Sequence, residues 1–481
     1  MSISNSLSNA LSGMTAASRM AEVVSSNVSN SLTDGYGRRT LNLSAAVVGG
    51  RGAGVEIGSV NRHVDRGIIA DRRLADASLS GFETLVSTMG RVEDVVGSAG
   101  EIGSISSRIV DVEAALIDAS VDPSSATRLS SLGDRLNDLT SSLNTATKSI
   151  QNLRVEADAS IASQVDTLNT SLAQVEQLNK DVTSAQLSGI DPSGLIDQRQ
   201  MVIDKIAEIV PVRELDRDGG QVALTTPSGE TLLDGKAKVF GFVANPVITS
   251  DMTIASTGLS GITLDGAPLS ADGIGKLGGG TLGASFQVRD VELVTAQDGL
   301  DAVAADLILR FQDTSVDPSL SAGEPGLLMD GGLAYDAMNL TGLAGRIGVN
   351  AAVDPAQGGA LTNLRDGINA TTPGPSGNST LLQALSTALS APIASGADPT
   401  QKSAAARAAD FEASTGAQRL NFEAELSFSN ARWSGLKEAE AAGGVDTDYE
   451  MQMLLRIEQA YAANARVLQT IDTLMQRLME I

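Results

Sequence analysis

The sequence predicts a mainly α-helical chain with a small β insertion. It reads as an elongated multidomain subunit: N- and C-terminal helices paired as a coiled coil, a helical-bundle rod, and an outward β domain. Three observations carry this. Apolar residues recur at heptad spacing at both extreme ends. A longer heptad seam runs through residues 129–175. Between Pro211 and Gly280 the texture changes to short β-type runs divided by Gly and Pro turns.

The first helix follows from Ile3, Leu7, Ala10, Met14, Ala17, Ala21, Val24 and Val28, which alternate spacings of four and three. Three of these are Ala and the flanks are Ser and Asn, so the seam buries little area. Such a helix is marginal alone and is expected to be ordered by a partner. Residues 79–120 read as helical with a break near Gly97 and Gly100. Asp122 then reads as an N-cap and Pro123 as the first helical residue. The rod seam follows at Leu129, Leu132, Leu136, Leu139, Leu143, Ala146, Ile150, Leu153 and Ala157. It shifts by a stutter at Ile161 and continues through Val165, Leu168, Leu172 and Val175 to a stop at Gly189. Continuous helix over 124–188 would extend roughly 95 Å.

A further helix is expected over 195–209, ending before Pro211. Short strands are expected at 212–215, Gln221–Thr225, Thr231–Leu233 and Lys238–Val243, separated by Asp218-Gly219-Gly220, Pro227-Ser228-Gly229 and Asp234-Gly235. Helix returns at 283–312. Residues 313–380 are rich in Gly, Pro and Asp and read as irregular. A helix over 400–442 carries Phe411, Phe422, Leu426, Trp433 and Leu436 on one seam. The last helix starts near Asp446 and Asp448, whose charges suit a helix N-terminus. Its seam is Leu454, Ile457, Tyr461, Asn464, Leu468, Ile471, Met475 and Leu478, with the polar Asn464 set to fix register or partner number. The expected domains are 1–75 with 445–481 (terminal assembly), 76–211 with 280–444 (rod), and 212–279 (β insertion).

Composition narrows the function. With 34 Lys+Arg against 58 Asp+Glu, the formal net charge is −24. That balance disfavours nucleic acid and anionic membrane surfaces as partners. There is no cysteine, and the single histidine, His63, lies among charged residues. Thiol chemistry is thus absent, and His-based triads and zinc sites are disfavoured. Residues 1–20 lack the apolar run of a secretory signal, so any exit from the cell is expected to need no cleaved leader.

Other motifs are weak. Gly273-Ile-Gly-Lys-Leu-Gly278 fits a dinucleotide pattern but has no βαβ unit around it. Asp191–Asp197 resembles part of a calcium loop without its closing Glu, and reads better as a helix-capping turn. Acidic pairs such as Glu93-Asp94 read as solvated helix charges. No catalytic residue, metal or cofactor is expected.

The informative motif runs from Asn27 to Arg39, Asn-Val-Ser-Asn-Ser-Leu-Thr-Asp-Gly-Tyr-Gly-Arg-Arg. It ends a helix in Asn and Ser, turns at Asp34-Gly35, and leaves Tyr36 beside Arg38 and Arg39. It resembles the N-terminal signature of the flagellar rod, hook and hook-associated proteins, with Asn27, Asn30, Thr33, Gly35 and Tyr36 on the matching positions. Leu32 and Asp34 depart from the commoner Asn and Pro or Glu. Residues 445–451 and 459–470 are similar to the C-terminus of the same family, with Tyr449 and Glu458 as departures. Residues 278–290, 342–350 and 404–440 resemble its hook-associated members.

The resemblance implies a structural subunit of the bacterial flagellum at the hook–filament junction. It implies export through the flagellar type III channel, often with a cytoplasmic chaperone. It also implies self-assembly with about eleven subunits to a ring, hook protein below and a second junction protein above. The weak terminal seams suit export, because they leave the ends loosely held until capture; ordering them on assembly then costs about 2–5 kcal/mol or more of interaction energy. Charge adds little. Residues 1–75 hold eight basic and five acidic side chains, and 446–481 hold three and six. The expected interface residues are Leu7, Met14, Val24, Leu454, Tyr461, Asn464 and Leu468 on the seams, and Asn27, Asn30, Gly35 and Tyr36 at the turn. The alternatives are a hook or distal-rod protein, whose middle would be mostly β, a flagellin, which lacks the Gly-Tyr turn, and a secreted enzyme with a catalytic insertion.

Overall fold

A computed structural model describes residues 3–48, 51–256, 258–395 and 398–479. In chain order the elements begin with α1 (Ile3–Ser29), β1 (Arg38–Val48), β2 (Arg51–His63), α2 (Arg66–Val96), α3 (Ile105–Val121), α4 (Ala126–Leu187) and α5 (Ser193–Ile209). Seven short strands follow: β3 (Arg213–Asp216), β4 (Val222–Thr225), β5 (Thr231–Asp234), β6 (Lys236–Ala237), β7 (Phe240–Gly241), β8 (Thr263–Leu264) and β9 (Ala267–Pro268). Then come α6 (Gly280–Gln287), a π-helical turn (Val288–Glu292), α7 (Leu293–Gln312), β10 (Leu328–Asp330), β11 (Ile347–Val349), α8 (Asn363–Asp366) and α9 (Thr380–Ser390). The chain ends with β12 (Ile393–Ser395), β13 (Asp398–Lys402), α10 (Ala404–Ala442) and α11 (Thr447–Met479). The fold is mainly helical with small antiparallel sheets, as the periodicity predicts.

Two compact units divide the chain. One comprises Met1–Leu79, Thr167–Val239 and Phe428–Ile481, and the other Ser80–Asp166 and Phe240–Ser427.

In the second unit the rod seam forms the core. Leu129, Leu132, Leu136, Leu139, Leu143, Ala146, Ile150, Leu153 and Ala157 all lie in one buried cluster. That cluster also takes Ile105, Ile109, Val112 and Leu116 from α3, Leu300, Leu307, Ile308 and Phe311 from α7, and Leu382 and Leu385 from α9. Gly97 and Gly100 have positive φ and separate α2 from α3 as expected. The start of α4 differs from the sequence reading. Asp122 closes α3, the helix begins at Ala126, and the Ser125 hydroxyl accepts the Arg128 N–H at 3.4 Å. The Asp-Pro pair thus serves the linker. The irregular 313–380 stretch is a run of turns and 3₁₀ segments with the β10–β11 pair and the single-turn helix α8.

In the first unit the seam continues past the stutter, with Leu168, Leu172 and Val175 of α4 buried. The helix ends where Gly189 turns left-handed and Ile190 N–H bonds the Ala185 carbonyl at 2.9 Å. Asn179 joins three elements. Its amide donates to the Val222 carbonyl at 2.9 Å, and its Oδ1 accepts from Arg199 at 2.8 Å and from Val222 N–H at 3.2 Å. This anchors the four-stranded sheet β3-β4-β5-β6 to α4 and α5. The three-stranded sheet β7-β8-β9 belongs to the second unit.

One element was not anticipated. Residues 38–48 and 51–63 form an antiparallel pair, β1 on β2, from Arg38 opposite His63 to Ala45 opposite Val55 and beyond, with register shifts after Leu41 and Ala45. It packs on α1, where the Ser12 hydroxyl accepts Val55 N–H at 3.1 Å.

Candidate assembly interface

The terminal helices pair in the antiparallel sense. Ala17 and Val24 of α1 bury against Ile457 of α11, with Met20, Ala21, Met453 and Leu454 packed around them. Nearer the start of α1, Gly13 faces Asn464. Numbers rising on α1 thus meet numbers falling on α11. The helix α11 begins where the Asp446 carboxylate accepts the N–H groups of Asp448 and Tyr449 at 3.0 and 3.1 Å.

Only part of each predicted seam is used within the chain. Val24 is buried, and Met14, Leu454, Asn464 and Leu468 are half-buried. Leu7 and Tyr461 keep 43% and 44% of their surface exposed. Beyond them Leu11, Leu455, Val467, Leu474 and Leu478 stand in solvent. A single chain leaves an apolar face on this helix pair uncovered.

The turn after α1 is organised by Asn27, which is buried although polar. Its Oδ1 accepts Arg39 N–H at 3.0 Å and the Tyr36 hydroxyl at 2.9 Å, and its Nδ2 donates to the Arg39 carbonyl at 2.9 Å. The side chain thus imitates a strand partner for Arg39 and ties the first residues of β1 back to α1. Asn30 donates to the Ser26 carbonyl at 2.9 Å and accepts the Thr33 hydroxyl at 3.3 Å. Gly35 has φ +74°, and a Cβ there would lie 2.9 Å from Met201 Cγ. Position 35 therefore requires glycine for conformation and for space.

Two arginines after the turn reach different helices. Arg38 donates to Glu450 at 2.8 Å and stacks 4.9 Å from the Tyr449 ring. Burial works against its charge, yet Glu450 and Tyr449 carry its pKa above the ordinary value. Arg39 stacks over Tyr36 at 4.8 Å and donates to Asp197 of α5 at 2.6 Å. Asp197 is 8% exposed and also accepts from Arg62 of β2 at 2.6 Å and from Gly37 N–H at 3.1 Å. Arg62 continues to the Gly35 carbonyl at 3.1 Å and to Gln200.

A cleft of about 670 Å³ adjoins the turn, lined by Tyr36, Ile68, Met201, Trp433 and a dense set of charges. Arg72 bonds Asp76, Asp204 and Glu440, and Arg73 bonds Asp204 at 2.7 Å and Glu214 at 2.6 Å. Trp433 donates to Asp76, and Lys437 lies 5.4 Å from the indole ring. Burial raises the Asp76 pKa, opposed by Arg72, and burial likewise raises that of Glu208, helped by Asp76 and Asp204.

Sequence reasoning placed Asn27, Asn30, Gly35 and Tyr36 at one turn, and the structure brings them together. It did not single out Asp197, Arg62, Arg72 or Trp433 as partners in this region. Their local signals were Trp433 on the seam of the 400–442 helix and Asp197 at the end of a loop-like motif, where the sequence suggests capping. Asp191 does that capping, accepting Ser193 N–H at 3.0 Å. Elsewhere, Gly275–Leu277 of the glycine-rich run is a 3₁₀ turn held by Asp272. His63 shares a 2.7 Å hydrogen bond with Thr40. Among the described residues no cluster of three metal-ligating side chains occurs, and no helix is long and apolar enough to cross a membrane.

Residues 89–319 match the family described as the flagellar hook-associated protein FlgK helical domain, and residues 441–481 match the flagellar basal body rod FlgEFG protein C-terminal family. Flagellar hook-associated protein 1 of Salmonella typhimurium is 26% identical over 242 residues, 48% of this chain and 43% of that protein. The Bacillus subtilis protein of the same name is 24% identical over 220 residues, 43% of each. A solved structure, the flagellar hook junction protein FlgK from Burkholderia pseudomallei, aligns with TM-score 0.44 at 21% identity, over 56% of this chain and 47% of that one. The matched part thus spans less than half the length of the curated relatives.

Proposed function

We propose that the chain, whose residues 89–319 match the FlgK helical domain family, is a flagellar hook-associated protein, a structural subunit adapting hook to filament at their junction, outside the cell. The observation that carries this is the antiparallel α1–α11 pair. Its inner seam is closed within the chain, while Leu11, Leu455, Val467, Leu474 and Leu478 are left for neighbours. An apolar face of this kind suits a subunit completed by copies of itself and by other axial proteins. Its partners on this reading are further copies in rings of about eleven, the hook protein, the second junction protein and an export chaperone.

The interface residues are Leu7, Met14, Val24, Leu454, Tyr461, Asn464 and Leu468, with the turn residues Asn27, Asn30, Gly35 and Tyr36. Weak seams favour an exportable chain whose ends order fully on capture, the cost being offset by several neighbours per subunit. The hook or rod alternative expects a mostly β middle, and here the middle carries α3, α4, α7 and α9 around one core.

Deletion of the gene tests the reading by microscopy of the cells and assay of the medium. Hooks without filaments, with flagellin shed into the medium, are expected. Intact filaments would reject the junction role.

A further inference from the structure

We propose that Asp197, on α5 and far from both chain ends, is the positioning residue that holds the N-terminal assembly motif in its assembling geometry. The proposal rests on the junction reading above and adds to it a residue outside the terminal helices.

The motif's own hydrogen bonds close the turn but do not aim it. Asn27 ties Tyr36 and Arg39 to α1, which fixes the chain locally. The hairpin that follows has only two strands, and two strands alone are marginal in water. Arg38 ties β1 to Glu450 and the hairpin packs on α1, but a single carboxylate joins both strands to the turn. Asp197 Oδ2 takes Arg39 from β1, and Oδ1 takes Arg62 from β2 and Gly37 N–H from the turn. Arg62 then reaches back to the Gly35 carbonyl, and Arg39 stacks on Tyr36. Both strands and the turn therefore converge on one side chain.

The electrostatics make that side chain hard to replace. Two guanidinium groups, with 17% and 11% of their side-chain surface exposed, share this single acid. Removing the charge leaves two half-buried cations side by side, which repel each other and the backbone N–H that Asp197 oriented. The α1–α11 core, built on Ala17, Val24 and Ile457, includes no residue of this cluster and should survive its loss.

The test uses the full chain. Asp197→Asn keeps the shape and removes the charge. Asp197→Glu keeps the charge. Asp191→Asn, on the capping carboxylate before α5, is the control. Amide hydrogen exchange over residues 35–63 is expected to quicken at least about ten-fold in Asp197→Asn, a local loss of protection, while the core of α4 is unchanged. In cells lacking the native gene, wild type should restore filaments. Asp197→Asn should be exported at the wild-type level but restore few, and Asp197→Glu should restore most of them. Unchanged exchange, or normal filaments with Asp197→Asn, would overturn the positioning role. Failure of the wild-type chain itself to restore filaments would overturn the junction reading instead.

Discussion

Gly13 of α1 lies directly against Asn464 of α11: a Cβ at position 13 would stand 2.7 Å from the Asn464 amide nitrogen. The contact pairs the least bulky residue of one helix with a polar residue on the seam of the other. The amide also donates to the Ala460 carbonyl at 3.1 Å on its own helix. It therefore stays hydrogen-bonded while marking the crossing.

This makes the two positions interdependent. Gly13→Ala gains helix propensity but must displace the amide, so its net effect should stay within about 1 kcal/mol. In an Asn464→Ala background the displacement disappears, and Gly13→Ala should stabilise by about 0.5–1 kcal/mol. Thermal melts of the four variants check this. Equal effects in both backgrounds would show that the contact carries no coupling.

Asn464→Leu should leave the chain folded, with unchanged far-ultraviolet circular dichroism, and disturb assembly. An apolar residue there admits alternative registers that the polar one excludes. Filament counts in complemented cells provide the measurement, and a normal count would remove the register argument.

Asn27→Ala removes both partners of the Arg39 backbone and one partner of the Tyr36 hydroxyl. Leaving such groups unpaired costs about 1–3 kcal/mol in total for a partly buried set. Tyr36→Phe gives up only the hydroxyl bonds, worth about 0.5–1.5 kcal/mol. Urea titration should rank the two in that order.

Asp76 predicts a pH dependence. Burial raises its pKa in the folded chain, so the folded state holds the proton more tightly than the unfolded state. The stabilisation this brings is complete below the ordinary Asp range and is lost as pH rises through the raised value. Asp76→Asn lacks that term. Its stability relative to wild type should therefore increase as pH rises from the ordinary Asp range through the raised value. Trp433, the single tryptophan, donates to Asp76, so its fluorescence reports urea unfolding at each pH. A stability difference that stays flat across that window would contradict the assignment.

In the second unit Asp158 and Arg289 form an ion pair with no exposed side-chain surface. Asp158 also accepts the Asn245 N–H, and Arg289 donates to the Ser260 carbonyl at 3.1 Å. Arg289 also holds Asp290 through two bonds of 2.8 Å, so Asp158→Ala leaves the buried cation one partner and should cost about 1–3 kcal/mol. Asp158→Leu with Arg289→Met should recover only part of that, because it frees Asp290 from its arginine. Urea melts followed by circular dichroism separate the two results.

Much of this fold was legible before any coordinates. The α4 seam reads off as threes and fours with a stutter at Ile161, and every one of those residues is buried. The turn at Gly35 and the stops at Gly97 and Gly189 follow from glycine's access to positive φ. The Asp122-Pro123 pair misled because the same residues that open a helix also suit the linker after one. The β1–β2 hairpin was missed although Leu41, Leu43, Val55 and Ile57 alternate. The register shifts after Leu41 and Ala45 break the period of two, and glycines and arginines dilute it.

What the sequence by itself determined is what neighbours along the chain determine: which stretches are helical, which face of each is apolar, and where glycine must turn the backbone. Those are properties of residues three or four apart, set by helix geometry. Tertiary structure alone decided that α1 and α11 run antiparallel, and that Asp197 meets Arg39 across 158 residues and Arg38 meets Glu450 across 412. An arginine carries no local signal of which distant carboxylate will hold it. That choice is made only when packing removes both from water and leaves each the other's nearest partner.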